Sequence, residues 1–232
     1  MTFFERLAER FVMPERLERM RAVLAERSTW VVPVFENMHK EHNAAAVIRT
    51  CDAFGIAEAH FIEGKKSYGI HPDVAMGAKA WVHKRNWTST EECFRALRAE
   101  GYCIVGTRLC DDAYTPEELP LDRPLAIVFG NELAGLSPEA AAACDVFVRI
   151  PMRGFVESLN LSVAAAIILR AHSERLRATC THGDERWRLP APAQKKLLRR
   201  WIFFGTRVGT IVKKMRGASP RTRPSGRTAS AE

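Results

Sequence analysis

The chain has 232 residues, 47% of them hydrophobic, which is enough to bury the core of one large or two small domains, and no stretch reaches the roughly 20 uninterrupted apolar residues that span a bilayer. Its formal charge of +8 is unevenly placed: thirteen Lys and Arg, with no Asp or Glu, fall between Arg186 and Arg227, a footprint suited to a phosphate backbone. Six Cys without a Cys-x-x-Cys pair and seven scattered His point away from a disulfide framework and from a metal site, so free buried thiols, no metal, no membrane partner and a cytoplasmic location are expected.

Residues 2–27 are predicted helical with a break near Pro14, because Phe4, Leu7 and Phe11, then Leu17, Met20 and Leu24, keep helical spacing. Trp30 to Glu36 reads as a strand, and Pro33 within it predicts an edge position or a bulge, since proline has no N–H for the ladder. Asn43 to Phe54 is a predicted helix with Asn43 as a plain N-cap candidate and Gly55 at C′. A strand follows at Ala59 to Ile62, then a helix at Pro72 to Ala80 and a strand at Val82 to Trp87. Thr90 is predicted to cap a helix that runs to Glu100 and closes at Gly101. Tyr102 to Thr107 and Leu125 to Phe129 are buried strands. Ser137-Pro138-Glu139 has the form of an N-cap with proline at the first helical position, opening a short Ala-rich helix. Val146 to Ile150 is a strand and Leu161 to Leu176 a long helix. This alternation implies an α/β fold, a mostly parallel sheet with helices on both faces. After a linker near Thr181 to Glu185, Ala193 to Met215 is predicted as a basic helix or helix pair, and Gly217 to Glu232 as a disordered basic tail. The expected division is a helical extension at 1–28, a core at 29–178, a basic helical extension at 179–216 and the tail at 217–232.

No Gly-x-Gly-x-x-Gly, Gly-x-x-x-x-Gly-Lys-Ser/Thr or Gly-x-Ser-x-Gly follows a strand, which sets aside the ordinary dinucleotide, P-loop and hydrolase readings. Three other blocks carry polar groups to strand ends. The first is His42-Asn43 to Gly55, with Arg49 six residues after Asn43 and then Thr50-Cys51-Asp52-Ala53. The second is Gly130-Asn131-Glu132-Leu133-Ala134-Gly135-Leu136-Ser137, directly after an apolar strand. In the third, Val146 to Ile150 stops at Pro151, a polar loop follows, and Ser158-Leu159-Asn160 opens an apolar helix. Such a loop offers Ser and Asn side chains, and free N–H groups at a helix start, to a ligand above the strand ends. Capping alone would also explain Asn43, Ser158 and Asn160, a surface helix charge would explain Arg49, and a loop carboxylate Glu132.

Taken together, the three blocks resemble the three motifs of the SpoU/TrmH branch of the SPOUT methyltransferases, over roughly Val31 to Arg170. The lead-in Val34 to Asn43, and the helical extensions at both ends, resemble the tRNA-acting members, which methylate the ribose 2′-hydroxyl of the D-loop guanosine at tRNA position 18. The resemblance implies a deep trefoil knot, a homodimer with the first and last motif helices at its interface, and S-adenosylmethionine as cofactor. It implies cofactor contacts at Thr107, Gly130, Asn131, Glu132, Ile150, Ser158 and Leu159, and catalytic roles for Asn43, Arg49, Glu132, Ser158 and Asn160. Arg49 is given the 2′-hydroxyl in this family. Because a guanidinium rarely gives up its proton, a clamp on phosphate and 2′-oxygen is the role chemistry favours. The alternatives are a 2′-O-methyltransferase for ribosomal RNA or another tRNA position, and a non-catalytic RNA-binding module of the same fold.

Overall fold

A computed structural model describes residues 12–38, 41–63, 80–180 and 187–205. In chain order these form α1 (Pro14–Ala25), β1 (Val31–Glu36), α2 (Glu41–Ala53), β2 (Glu58–Ile62), β3 (His83–Trp87), α3 (Thr90–Ala99), β4 (Cys103–Thr107), β5 (Leu125–Phe129), α4 (Pro138–Ala143), β6 (Val146–Val148), α5 (Leu161–Thr179) and α6 (Ala191–Gly205). The helical predictions for residues 2–11, 72–79 and 206–215, and the tail at 217–232, lie outside the described residues.

The strands make one sheet in the order β3-β2-β1-β5-β4-β6, and every pairing is parallel. Strict alternation divides the apolar residues between its two faces. Val31, Phe35, Ile127 and Phe129 face α2 and α5 together with Val47, Ile48, Ala165 and Ile168. Val32, Val34, Ala126 and Val128 face α3 and α4 together with Phe94, Leu97 and Ala140. Burying each such side chain contributes about 1.5–3 kcal/mol, against about 0.3–0.5 for a surface pair such as Arg95 and Glu91, so the two sheet faces decide the fold.

Pro33 is not at an edge; it falls in a bulge-like offset between β1 and β2, where residues 29–33 stand against residues 57–59 between the Ser28–Ile56 bridge and the Val34–His60 pair. β1 is a central strand, and Pro33 sits opposite Ile127 of β5. On the other side the β2 ladder begins only at Val34, and the N–H of Asn37 points that way, to Ile62 O at 3.0 Å. By the two-residue alternation Pro33 faces the same side, inside the interruption between the Ser28–Ile56 bridge and the Val34–His60 pair, so the missing donor costs no ladder bond.

Local rules close the helices. Ser89, one residue before the expected Thr90, caps α3 by accepting from Glu92 N–H. Ser137 caps α4 with Pro138 at the first position. Gly55 and Gly101 take φ of 75° and 87° after α2 and α3. A third apolar cluster joins α1 to α6 through Leu17, Met20, Leu24, Leu197, Trp201 and Ile202. Arg27, 1% exposed, links it to the core: its guanidinium pairs with Asp52, donates to Ile56 O at 3.2 Å and lies over the Trp201 ring.

At the far edge, the β4–β5 connection passes outside β6. Tyr114 N–H donates to Phe147 O and Arg149 N–H to Tyr114 O, both at 2.9 Å, while Arg175 of α5 holds Pro116 O and Leu119 O at 3.2 and 2.9 Å. The six Cys are free; Cys51 and Cys93 are buried, and burial pushes both thiols up to about 12, so they stay protonated. Among the described residues no helix is long and apolar enough to cross a membrane, and no group of His, Cys, Asp or Glu is placed to hold a metal ion.

His172 of α5 is fully buried, and neither ring nitrogen finds a partner. Burial, helped by Arg175, pulls its pKa from 6.5 down to about 4. The unfolded chain takes up this proton near pH 6.5 and the folded chain only near 4, so the proton favours unfolding. Its contribution is intact above pH 6.5 and is lost as the pH falls towards 4, by up to about 3 kcal/mol. Urea unfolding at pH 7, 5.5 and 4.5 should show a shallower fall in stability for His172→Leu than for the natural chain; equal slopes would mean that His172 is not buried in its neutral form.

Candidate functional site

A cavity of about 720 Å³ opens at the carboxyl ends of β4, β5 and β6, beside the start of α5. This is the sheet edge where open α/β folds take their ligands. Three segments wall it: Thr107 to Leu109 after β4, Phe129 to Leu136 after β5, and Val148 to Ile150 with Met152 and Glu157 to Leu159 after β6. Phe129, Leu136, Leu161 and Ile168 give it an apolar floor.

The wall after β5 is a hairpin, and its sequence follows from its geometry. Asn131 and Gly135 exchange backbone bonds at 2.8 and 2.9 Å. A Cβ on Gly130 would lie 2.1 Å from the carbonyl carbon of Gly135, which only glycine avoids. Gly135 takes φ of 70° to turn the chain back. The Asn131 side chain is spent on the loop itself: its Oδ1 accepts from Leu133 and Ala134 N–H, and its Nδ2 donates to Asn37 O at 3.1 Å. Asn37 reaches that position with φ of 52°, an uncommon value outside glycine. Beside it, Glu36 is 2% exposed and accepts from Ser137 N–H, Ser137 Oγ and Thr90 Oγ1 at 2.9, 2.7 and 2.8 Å.

The three sequence blocks meet at Asn43. This residue lies inside the first turn of α2, 7% exposed, and does not serve as the cap its position suggested. Its Nδ2 donates to Glu132 Oε1 at 2.7 Å, and its Oδ1 accepts from Asn160 Nδ2 at 3.3 Å. Asn160 does both jobs weighed for it: it also caps α5, accepting from Ser162 N–H at 2.9 Å. Ser158 lines the cavity and is exposed.

Of the expected cofactor contacts, Thr107, Gly130, Asn131, Glu132, Ile150, Ser158 and Leu159 all lie along the cavity wall. Thr107 Oγ1 is turned inward to Val128 O at 3.0 Å, so any contact from Thr107 falls to its backbone. Arg49 stands apart. It is exposed on the outer side of α2, does not line the cavity, and makes no side-chain hydrogen bond or ion pair among the described residues. Sequence reasoning missed Arg108 and Arg149, cations on the cavity wall one residue beyond β4 and β6. An arginine directly after a buried strand was the available signal. It also missed Glu36, whose partners lie 54 and 101 residues away in the chain.

The volume lies within the roughly 300–1,000 Å³ range of small-molecule sites, and an apolar floor with polar groups at the mouth suits a nucleoside with a charged tail. Residues 31–170 match the model of the SpoU rRNA Methylase family. A tRNA (guanosine(18)-2′-O)-methyltransferase of Thermus thermophilus is 38% identical over 188 residues, covering 81% of this chain and 95% of that protein. The crystal structure of the A. aeolicus TrmH/SpoU tRNA modifying enzyme superposes with a TM-score of 0.71 at 33% identity, over 82% of this chain and 95% of that one. The SpoU methyltransferase AviRb of Streptomyces viridochromogenes, in complex with AdoMet, gives 0.58 at 26% identity, over 67% and 64% of the two chains.

Gly130→Ala is expected to destabilise the chain by about 2–3 kcal/mol, because the new methyl meets backbone that cannot yield. Gly154→Ala, whose Cβ would enter open space, should change stability by less than about 0.5 kcal/mol. Urea denaturation of both variants checks the pair, and equal costs would rule out the closed hairpin.

Proposed function

The chain belongs to the SpoU rRNA Methylase family, and on that premise we propose that it is an S-adenosylmethionine-dependent tRNA 2′-O-methyltransferase acting on the ribose of the guanosine at position 18. The observation that carries this is the chain of amides and carboxylate Glu132–Asn43–Asn160, which joins all three motif blocks at the mouth of a cofactor-sized cavity. The name of the Thermus relative supplies the nucleotide. tRNA as partner and a cytoplasmic setting follow from the same reading.

In this reading S-adenosylmethionine supplies an electrophilic methyl group to the 2′-oxygen. Gly130, Ile150 and Leu159 hold the cofactor by backbone groups, and Thr107 by its backbone alone. The apolar floor excludes water from the nucleoside end. Glu132 and Asn160, fixed through Asn43, are set at the mouth with little freedom left to lose, so the reacting geometry is organised before RNA arrives. Ser158 offers a hydroxyl at the same mouth. Arg49 clamps phosphate and 2′-oxygen as a cation, and the proton of the 2′-hydroxyl passes to the RNA's own phosphate or to solvent as the methyl group leaves the sulfonium.

The same proposal includes a homodimer. Arg49 shares the outer face of α2 with His42, and α5 beside it exposes Val163 and Ile167 one turn apart. A second copy packed there would cover the apolar pair and bring an Arg49 towards a cavity that the same chain's Arg49 does not line. The proposal also includes the trefoil knot. It is supported by the β4–β5 connection, which encloses β6 from outside and is tied to α5 by Arg175. Four units, 1–28, 29–178, 179–216 and 217–232, remain the proposed organisation, with the α1–α6 cluster as the contact between the two helical extensions.

Radiolabelled methyl transfer to unmodified tRNA, followed by nuclease mapping, tests the reaction. Label is expected at guanosine 18, and a transcript with 2′-deoxyguanosine there should take none. Label elsewhere, or in ribosomal RNA only, would move the substrate; RNA binding without any transfer would favour a binding module. Arg49→Ala should keep cofactor affinity within about twofold while lowering kcat at least about a hundredfold. Loss of cofactor affinity in that variant would remove the clamp role.

A further inference from the structure

Resting on the S-adenosylmethionine reading of the cavity, we infer that Glu36 is a positioning residue for the cofactor wall, acting through Ser137. Glu36 ends the central strand β1 and does not line the cavity. Its carboxylate is nonetheless buried and makes no ion pair among the described residues. It is held by three donors: Thr90 Oγ1 at the first residue of α3, and both Ser137 N–H and Ser137 Oγ where the β5 hairpin runs into α4. A buried carboxylate without a cation is costly to keep unless its hydrogen bonds are worth more, and bonds to a charged acceptor are about twice as strong as neutral ones.

What those bonds hold is the hairpin's closing end. Leu136 and Pro138, on either side of Ser137, both line the cavity. The opening end is held by the adjacent residue, since Asn131 Nδ2 donates to Asn37 O. The dipeptide Glu36-Asn37 thus pins both ends of the segment that carries Gly130, Asn131 and Glu132. Between the pins Glu132 is tied to Asn43, while Leu133 at the tip is 98% exposed. Glu36 sets how the wall is presented to the cofactor without touching it.

Replacing Glu36 acts on this link in two grades. Glu36→Ala leaves Ser137 N–H and two hydroxyls without their acceptor. Glu36→Gln keeps one acceptor oxygen, and the hydroxyls can turn to accept from its amide. Calorimetric titration with S-adenosylmethionine should give a dissociation constant raised about tenfold in Glu36→Ala and about threefold in Glu36→Gln. Hydrogen exchange of the 131–137 amides in the cofactor-free protein should quicken in the same order. At saturating cofactor, kcat and the KM for tRNA should stay within about twofold of the natural chain. A purely structural role would instead lower the active fraction, reducing kcat with the dissociation constant unchanged. A folded variant with unchanged cofactor affinity overturns the inference; if Glu36→Ala does not fold, the Glu36→Gln value decides. Failure of the natural chain to bind S-adenosylmethionine would sink the function reading instead, so the two failures are distinguishable.

Discussion

The amide of Asn43 is the point at which three distant pieces of chain become one site. It uses both ends, donating to Glu132 and accepting from Asn160, while itself being 7% exposed. A buried amide deprived of a partner costs about 1–3 kcal/mol, so each of the two neighbours is held in place by the other's bond as well as by its own. The geometry works only because α2 packs beside α5 and both lie on the face of the sheet that carries Phe35 and Phe129. Sheet packing sets the helices side by side to within a rotamer, and the amide then selects one arrangement.

A second constraint lies one layer deeper. β1 is buried along its whole length, apolar until its final residue, which is a carboxylate. That ending converts a core strand into an anchor. From Glu36 and Asn37 hydrogen bonds run to α3, to the start of α4 and to the β5 hairpin. The cavity wall is therefore tied to a strand buried along its whole length, while Leu133 on the loop after β5 and Phe155 on the loop after β6 are exposed at the mouth.

Much of this architecture was legible in the residues. The apolar runs Val31 to Phe35 and Leu125 to Phe129 marked strands, and the Ser-Pro-Glu and Gly55 signals marked helix ends. The hairpin glycines were visible as letters, and the structure supplies their reason in a 2.1 Å clash and a positive φ. What could not be read was anything that depends on a partner far away in sequence. Pro33 read as an edge or a bulge residue, and only the offset between the Ser28–Ile56 bridge and the Val34–His60 pair decides between the two. Asn43 looked like a cap because capping is a local explanation, whereas its partners are 89 and 117 residues distant. Glu36 looked like the end of a strand. His172 gave no signal at all, because an apolar helix face hides one imidazole among its leucines.

Arg49 marks the boundary of what one chain contains. Several polar groups of the site are already partnered within the chain: Asn43 with Glu132 and Asn160, Asn131 with its own loop, Thr107 with Val128. Groups so satisfied can shape a pocket but have little left with which to grip a polyanion. Of the cations, Arg49 is exposed on α2, while on the cavity wall Arg149 lies 3.8 Å from Asp111 and Arg108 stands over the Phe147 ring. Asn43, Glu132 and Asn160 fix one another within the chain, whereas Arg49, exposed on α2, has no hydrogen bond or ion pair among the described residues.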